Sequence, residues 1–230
     1  MGGPAHSRAP RHTAIVRVTH WVTAVATLAL IVSGAAILLA HPRLYWGETG
    51  AFGTPPLINL PLPLLLGHSG WGRYLHFVAA WASVACGVIY LVYGVLTRHF
   101  YQRFVPSRAD LAWANVGRVV STHVRLKPSR SAEPGSYNVL QRLAYVTVVF
   151  VAGPLVLLSG LAFSPALASV MPVLVSMFGG QQSARTIHFF GGMAVVVFLI
   201  VHVAMVWLTG FRTQMRTMIV GHAASTPEHS

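Results

Sequence analysis

Long apolar stretches, separated by short polar or proline-rich ones, dominate the chain. Residues 15–40, 74–96, 140–163 and 186–210 each stay apolar for more than the roughly 20 residues an α-helix needs to cross about 30 Å of hydrocarbon. The pattern predicts an all-α membrane protein: a four-helix transmembrane bundle forming one domain over residues 1–221, with a polar tail at 222–230. Arg8, Arg11 and Arg17 ahead of the first stretch look like the basic lead of a signal peptide. The stretch is too long for that role and reads as a retained span. Segments 55–66 and 164–180 are also apolar, but prolines at 55, 56, 61, 63, 165 and 172 and the Gly179–Gly180 pair interrupt them. They predict loops lying at the membrane interface.

Composition sharpens this picture. Of 230 residues, 54% are hydrophobic and only 9% charged, where a soluble domain carries about 25% charged residues. An ordinary cytosolic enzyme and a disordered chain are both excluded. A net charge of +12 would suit nucleic acid, but the placement of the charges argues otherwise. Thirteen of the 16 basic residues precede the first span, follow the fourth, or lie between the second and third; Arg43, Arg73 and Arg185 are on the other side. This asymmetry predicts both termini in the cytoplasm and a multi-pass protein of the bacterial inner membrane. Topology and attraction to anionic lipid then account for the charge, with no nucleic-acid partner. In the basic inner loop, residues 108–127 interleave apolar side chains with arginines, as an interfacial helix does. Cys86 is the single cysteine, so an intrachain disulfide, covalent haem attachment through C-x-x-C-H and cysteine-held clusters are excluded. Any metal centre must draw mainly on the 12 histidines.

Four histidines fall inside spans: His20 in the first, His76 in the second, His188 and His202 in the fourth. Intramembrane ionisable residues are functional candidates by default. His188 and His202 are 14 residues apart, which places them on one helix face about 21 Å apart along its axis. With the predicted topology, His76 and His188 share the outer level, and His20 and His202 the inner one. Two imidazoles from facing helices can hold a b-type haem, so the four predict two haem irons stacked across the membrane. The other histidines, including His41, His68, His99 and His123 and those of the tails, read as solvated polar groups; His99 is the rival to His20 at the inner level.

Arg17, Arg73 and Arg185 each stand three residues before one of these histidines, in RVTH, RYLH and RTIH. An i, i+3 neighbour on the watery side suits a haem propionate. The same arginines also suit plain anchoring of span ends. Small residues follow three of the histidines by three and four positions: Thr23 and Ala24, Ala79 and Ala80, Gly191 and Gly192. They would accommodate a flat macrocycle or a close helix contact.

The stretches RVTHWVTA, HPRLYWGE, GRYLHFVAAW, YNVLQRLAY, GGQQSARTIHFFGG and FLIVHVAMVW together resemble the cytochrome b subunits of membrane-bound hydrogenases, formate dehydrogenases and thiosulfate reductases. The resemblance implies two b haems on His20, His76, His188 and His202. It also implies electron exchange with membrane quinone, and anchoring of a periplasmic oxidoreductase, often one carrying molybdopterin. The proline-rich outer loops, 44–70 and 164–182, would be the docking surface, and the quinone would bind at the inner level near His202 and the His20 end of span 1. A second reading is a stand-alone di-haem cytochrome b exchanging electrons between superoxide and quinone. A third is a proton-coupled transporter with titrating histidines. Against the third, Glu48, Asp110, Glu133 and Glu228 all lie outside the spans, and no inverted repeat is present.

Overall fold

The computed structural model describes residues 13–48, 53–62, 69–97 and 139–221. His68, His99, His123, the 108–127 segment, most of the basic inner loop and both tails lie outside the described residues. Helix α1 (Ala14–Ala40) leads to a two-residue ribbon in which β1 (Arg43–Leu44) pairs antiparallel with β2 (Ile58–Asn59). Helix α2 (Ser69–Leu96) returns beside α1. The third span consists of α3 (Val139–Thr147), a π turn at Val148–Ala152 and α4 (Gly153–Phe163). Short helices α5 (Pro165–Ala168) and α6 (Pro172–Met177) lead to α7 (Gln181–Leu208), which packs along α4, and α8 (Phe211–Ile219) ends the described chain.

The π turn has a local cause. Pro154 has no N–H and its ring crowds the preceding turn, and the wider turn accommodates it: the Gly153 N–H reaches five residues back to the Val148 carbonyl.

The packing is that of a protein whose solvent is lipid. The buried positions are small, Ala26, Ala36, Ala79, Ala162, Ser33, Ser159 and Ser183 among them, while large side chains such as Val25, Trp81, Val197 and Trp207 face outward. Hydrocarbon solvates Leu and Val as well as a core does, so the helices associate through small residues that let backbones approach. The buried serines satisfy their hydroxyls within their own helix; Ser33 donates to the Ala29 carbonyl and Ser159 to that of Leu155.

Two spans begin about a turn earlier than the hydropathy pattern predicts, and each has a reason. At the head of α2, Gly72 is a packing residue: a Cβ there would lie 3.0 Å from that of Ala36 on α1. At the head of α7, the polar run from Gln181 is held by the segment after α1. The Gly47 carbonyl accepts from the Gln182 N–H at 3.0 Å, the Gly47 N–H donates to Ser183 Oγ at 2.7 Å, and Thr186 Oγ1 donates to the Tyr45 carbonyl at 2.6 Å. Gly180 supplies the positive φ that this entry requires. The interface loops also carry structure: the ribbon in one, α5 and α6 in the other. Finally, the chain turns at Gly210 (φ +107°) and forms α8, whose last carbonyls accept from α1: Arg17 Nη1 to Ile219 at 2.7 Å and Trp21 Nε1 to Met218 at 3.1 Å.

Candidate functional site

His76 and His188 each stand seven residues past the start of their helices, at 69 and 181. His20 lies six residues after the start of α1 at 14, and His202 six before the end of α7 at 208. Within each pair the offsets from the helix ends are equal. The rings meet accordingly: the centroids of His76 and His188 are 6.0 Å apart, and those of His20 and His202 are 6.3 Å apart. A metal–imidazole bond is about 2 Å, so two imidazoles sharing one metal ion from opposite sides stand roughly 6 Å apart centroid to centroid. Among the described residues no group of three or more metal-ligating side chains converges. An ion held here by two imidazoles needs a non-protein ligand for its remaining positions, and a macrocycle supplies that.

In three of the four rings Nδ1 lies beside an oxygen of the protein. His76 Nδ1 is 3.0 Å from Ser33 Oγ, His188 Nδ1 is 2.9 Å from the Val156 carbonyl, and His202 Nδ1 is 3.4 Å from the Tyr145 hydroxyl. Partners of this kind orient an imidazole for ligation through Nε2. A glycine follows each of Ser33 and Ser159 and borders the His76 and His188 rings of the first level, tightly only at Gly160. A Cβ on Gly34 would stand 3.6 Å from His76 Cε1, and one on Gly160 only 3.0 Å from His188 Cε1. At the second level, Phe198 stacks on His202 with centroids 5.8 Å apart, and Tyr145 packs edge-on to both rings.

The arginines behave less simply than the i, i+3 pattern suggests. Arg17 donates to the Ile219 carbonyl, and Arg185 Nη2 donates to the His41 carbonyl at 2.5 Å, so both tie the end of another helix. Arg17 Nε stays buried without a partner. Arg73 is exposed. Partial burial, then the nearby Arg185 and Arg73 guanidiniums, push the His41 imidazole below its ordinary range. The first level thus ends in a cationic cluster, and Glu48 is the only carboxylate among the described residues. The small residues divide. Gly191 serves helix contact, since a Cβ there would lie 2.8 Å from Val156 Cγ2, whereas Gly192 faces open space.

Ser33, Ser159, Gly34, Gly160, Tyr145 and Phe198 escaped the reading of the sequence. One signal was present: the dipeptide Ser-Gly occurs at 33–34 in the first span and again at 159–160 in the third.

Comparison with known proteins agrees with the fold. The chain is 34% identical over 221 residues to the putative protein-methionine-sulfoxide reductase subunit YedZ1 of Azospira oryzae, covering 92% of this chain and 96% of that one. It is 28% identical over 227 residues to the probable Ni/Fe-hydrogenase B-type cytochrome subunit of Cupriavidus necator, covering 92% and 85%. It is 26% identical over 210 residues to the formate dehydrogenase cytochrome b556(fdo) subunit of Escherichia coli, covering 89% and 82%. A family model described as prokaryotic cytochrome b561 matches residues 11–221, and the chain therefore belongs to that family of membrane electron-transfer proteins, which bind b-type haem in a helical bundle.

Proposed function

We propose that this protein is the membrane anchor and electron conduit of an oxidoreductase complex, linking membrane quinone to a periplasmic partner enzyme of the molybdopterin kind through two b haems. His76 and His188 hold one haem and His20 and His202 the other. The observation that carries this reading is the meeting of imidazoles in two pairs, 6.0 and 6.3 Å apart, on separate helices of one bundle. Haem, when bound, supplies reversible one-electron chemistry at each level.

The chain's own residues supply the rest. Ser33, the Val156 carbonyl and Tyr145 orient three of the imidazoles. Arg73 and Arg185 place positive charge at the first level, where propionates need it, and Arg17 does so at the second. Where the start of α1 meets the end of α8, an apolar groove of about 550 Å³ is lined by Ala14, Arg17, Val18, Trp21, Val22, Met218 and Ile219. It suits a quinone: apolar walls for the tail, with the Arg17 guanidinium as the polar group of the lining. Trp46, Leu57, Val170, Val173 and Met177 are exposed on the ribbon and on α5–α6, at the end opposite that groove, and offer an apolar face to a partner. Relatives named as subunits of a hydrogenase, a formate dehydrogenase and a protein-methionine-sulfoxide reductase support a partner that is itself a redox enzyme.

The protein purified from bacterial membranes should give a reduced-minus-oxidised spectrum of b haem with two haems per chain, reducible by a quinol. It should co-purify with a soluble oxidoreductase. Absence of haem would overturn the reading. Full haem and quinol reactivity with no partner in gently solubilised membranes would favour the stand-alone superoxide–quinone enzyme.

A further inference from the structure

The paired Ser-Gly dipeptides of spans 1 and 3 meet the two histidines of one level, and the hydrogen-bond count at these contacts fixes more than position. The Ser33 hydroxyl has one proton. Its Oγ lies 2.6 Å from the Ala29 carbonyl and 3.2 Å from that of Leu30, and carbonyls only accept, so the proton is committed there. What Ser33 presents to His76 Nδ1, 3.0 Å away, is therefore a lone pair, and Nδ1 must carry the hydrogen. The lone pair of the ring is left on Nε2.

His188 reaches the same state by a different partner. Its Nδ1 is 2.9 Å from the Val156 carbonyl, again a pure acceptor, with Ser159 Oγ as a second contact at 3.4 Å. The Ser159 proton is likewise committed, to Leu155 at 2.6 Å. Gly160, next in sequence to Ser159, lets the His188 ring come this close. At the other level the partner of His202 Nδ1 is a phenol hydroxyl, which can donate or accept and so leaves the tautomer open.

We infer that Ser33 and Ser159 are matched positioning residues that lock His76 and His188 as Nδ1–H tautomers and, by accepting from Nδ1–H, make both imidazoles stronger donors to iron. The inference rests on the haem reading above and deepens it. A hydroxyl that donates to a carbonyl is a better acceptor for it, and outer partners of this kind raise the basicity of a histidine ligand. A more basic ligand favours the oxidised iron. Ser33 Oγ stands 3.0 Å from His76 Nδ1, whereas Ser159 Oγ stands 3.4 Å from His188 Nδ1, which the Val156 carbonyl approaches more closely at 2.9 Å. The two serines should therefore differ in weight.

The test is potentiometric titration of the haems, with low-spin ferric EPR, in the purified full-length protein and its Ser33→Ala, Ser33→Thr and Ser159→Ala variants. Ser33→Ala should raise the midpoint of one haem only, so that the ratio of reduced to oxidised haem at the wild-type midpoint rises roughly three- to tenfold. Ser33→Thr, which keeps the hydroxyl, should restore the wild-type value, and Ser159→Ala should shift the same haem by less. Loss of that haem in Ser33→Ala with retention in Ser33→Thr would also support the role. An Ser33→Ala midpoint and EPR signal identical to wild type, or equal loss of haem in both Ser33 variants, would overturn it. Absence of haem from the wild-type protein would instead overturn the underlying haem reading.

Discussion

An imidazole inside a membrane bundle has two nitrogens to satisfy, and lipid offers neither a donor nor an acceptor. Here three of the four intramembrane rings place Nδ1 beside an oxygen of the protein. The histidines themselves were legible in the sequence because their offsets from the span ends put them at matching depths. Their oxygen partners were not, because serine in an apolar helix ordinarily does no more than bond its own helix's carbonyls, as Ser33 and Ser159 also do. The arginines were ambiguous for a related reason. A guanidinium has five donors, so a bond from Arg185 to the His41 carbonyl leaves others for a propionate. Its charge separates anchoring from haem tuning. Arg185→Gln should keep both haems but lower the midpoint of the His76–His188 haem by on the order of 50 mV, which corresponds to about 1 kcal/mol of lost attraction at an effective dielectric near 20. The exposed Arg73 should give a smaller shift in the same direction, because solvent screens it. Midpoints unchanged in both variants would assign these arginines to helix anchoring alone.

At the scale of the element, glycine has two different meanings in these helices. Sequence reading took Gly191 and Gly192 as equivalent small residues, yet one faces Val156 and the other faces open space. The glycine that touches a candidate ligand is Gly160, on the neighbouring span. Gly160→Ala would bring a methyl to 3.0 Å from His188 Cε1 and 3.2 Å from its Nδ1, an overpacking that typically costs about 1–3 kcal/mol. It should lower haem occupancy at the His76–His188 level, whereas Gly192→Ala should leave both haem spectra unchanged; spectra of the two variants side by side check this. The ends of the elements were read less well than their existence. Hydropathy drops at Arg73 and across Gln181–Arg185, but the helices continue because Gly72 seats α2 against α1 and the Tyr45–Gly47 segment binds the polar start of α7. Helix α8 was missed altogether: it is short, follows a glycine, and carries Arg212 and Arg216. Only the tertiary bonds from Arg17 and Trp21 show where it docks.

For the whole molecule, composition decided most. A chain with 9% charged residues cannot cover itself in water, and the structure accordingly buries alanine and serine while exposing valine, leucine and tryptophan. We propose that the four spans bring both chain ends to the cytoplasmic side, on the ground that the basic residues concentrate there. Reporter fusions at each terminus and in the 164–182 loop check this: a cytoplasm-active reporter should work at both termini and a periplasm-active one only in the loop. The central claim is that the four imidazoles belong to two separate levels, His76 with His188 and His20 with His202. Counting haem per purified chain in two double variants tests it most directly. His76→Ala with His188→Ala should leave one haem, because both losses fall on one level, and His20→Ala with His76→Ala should leave none. Equal haem counts in the two double variants would contradict the pairing.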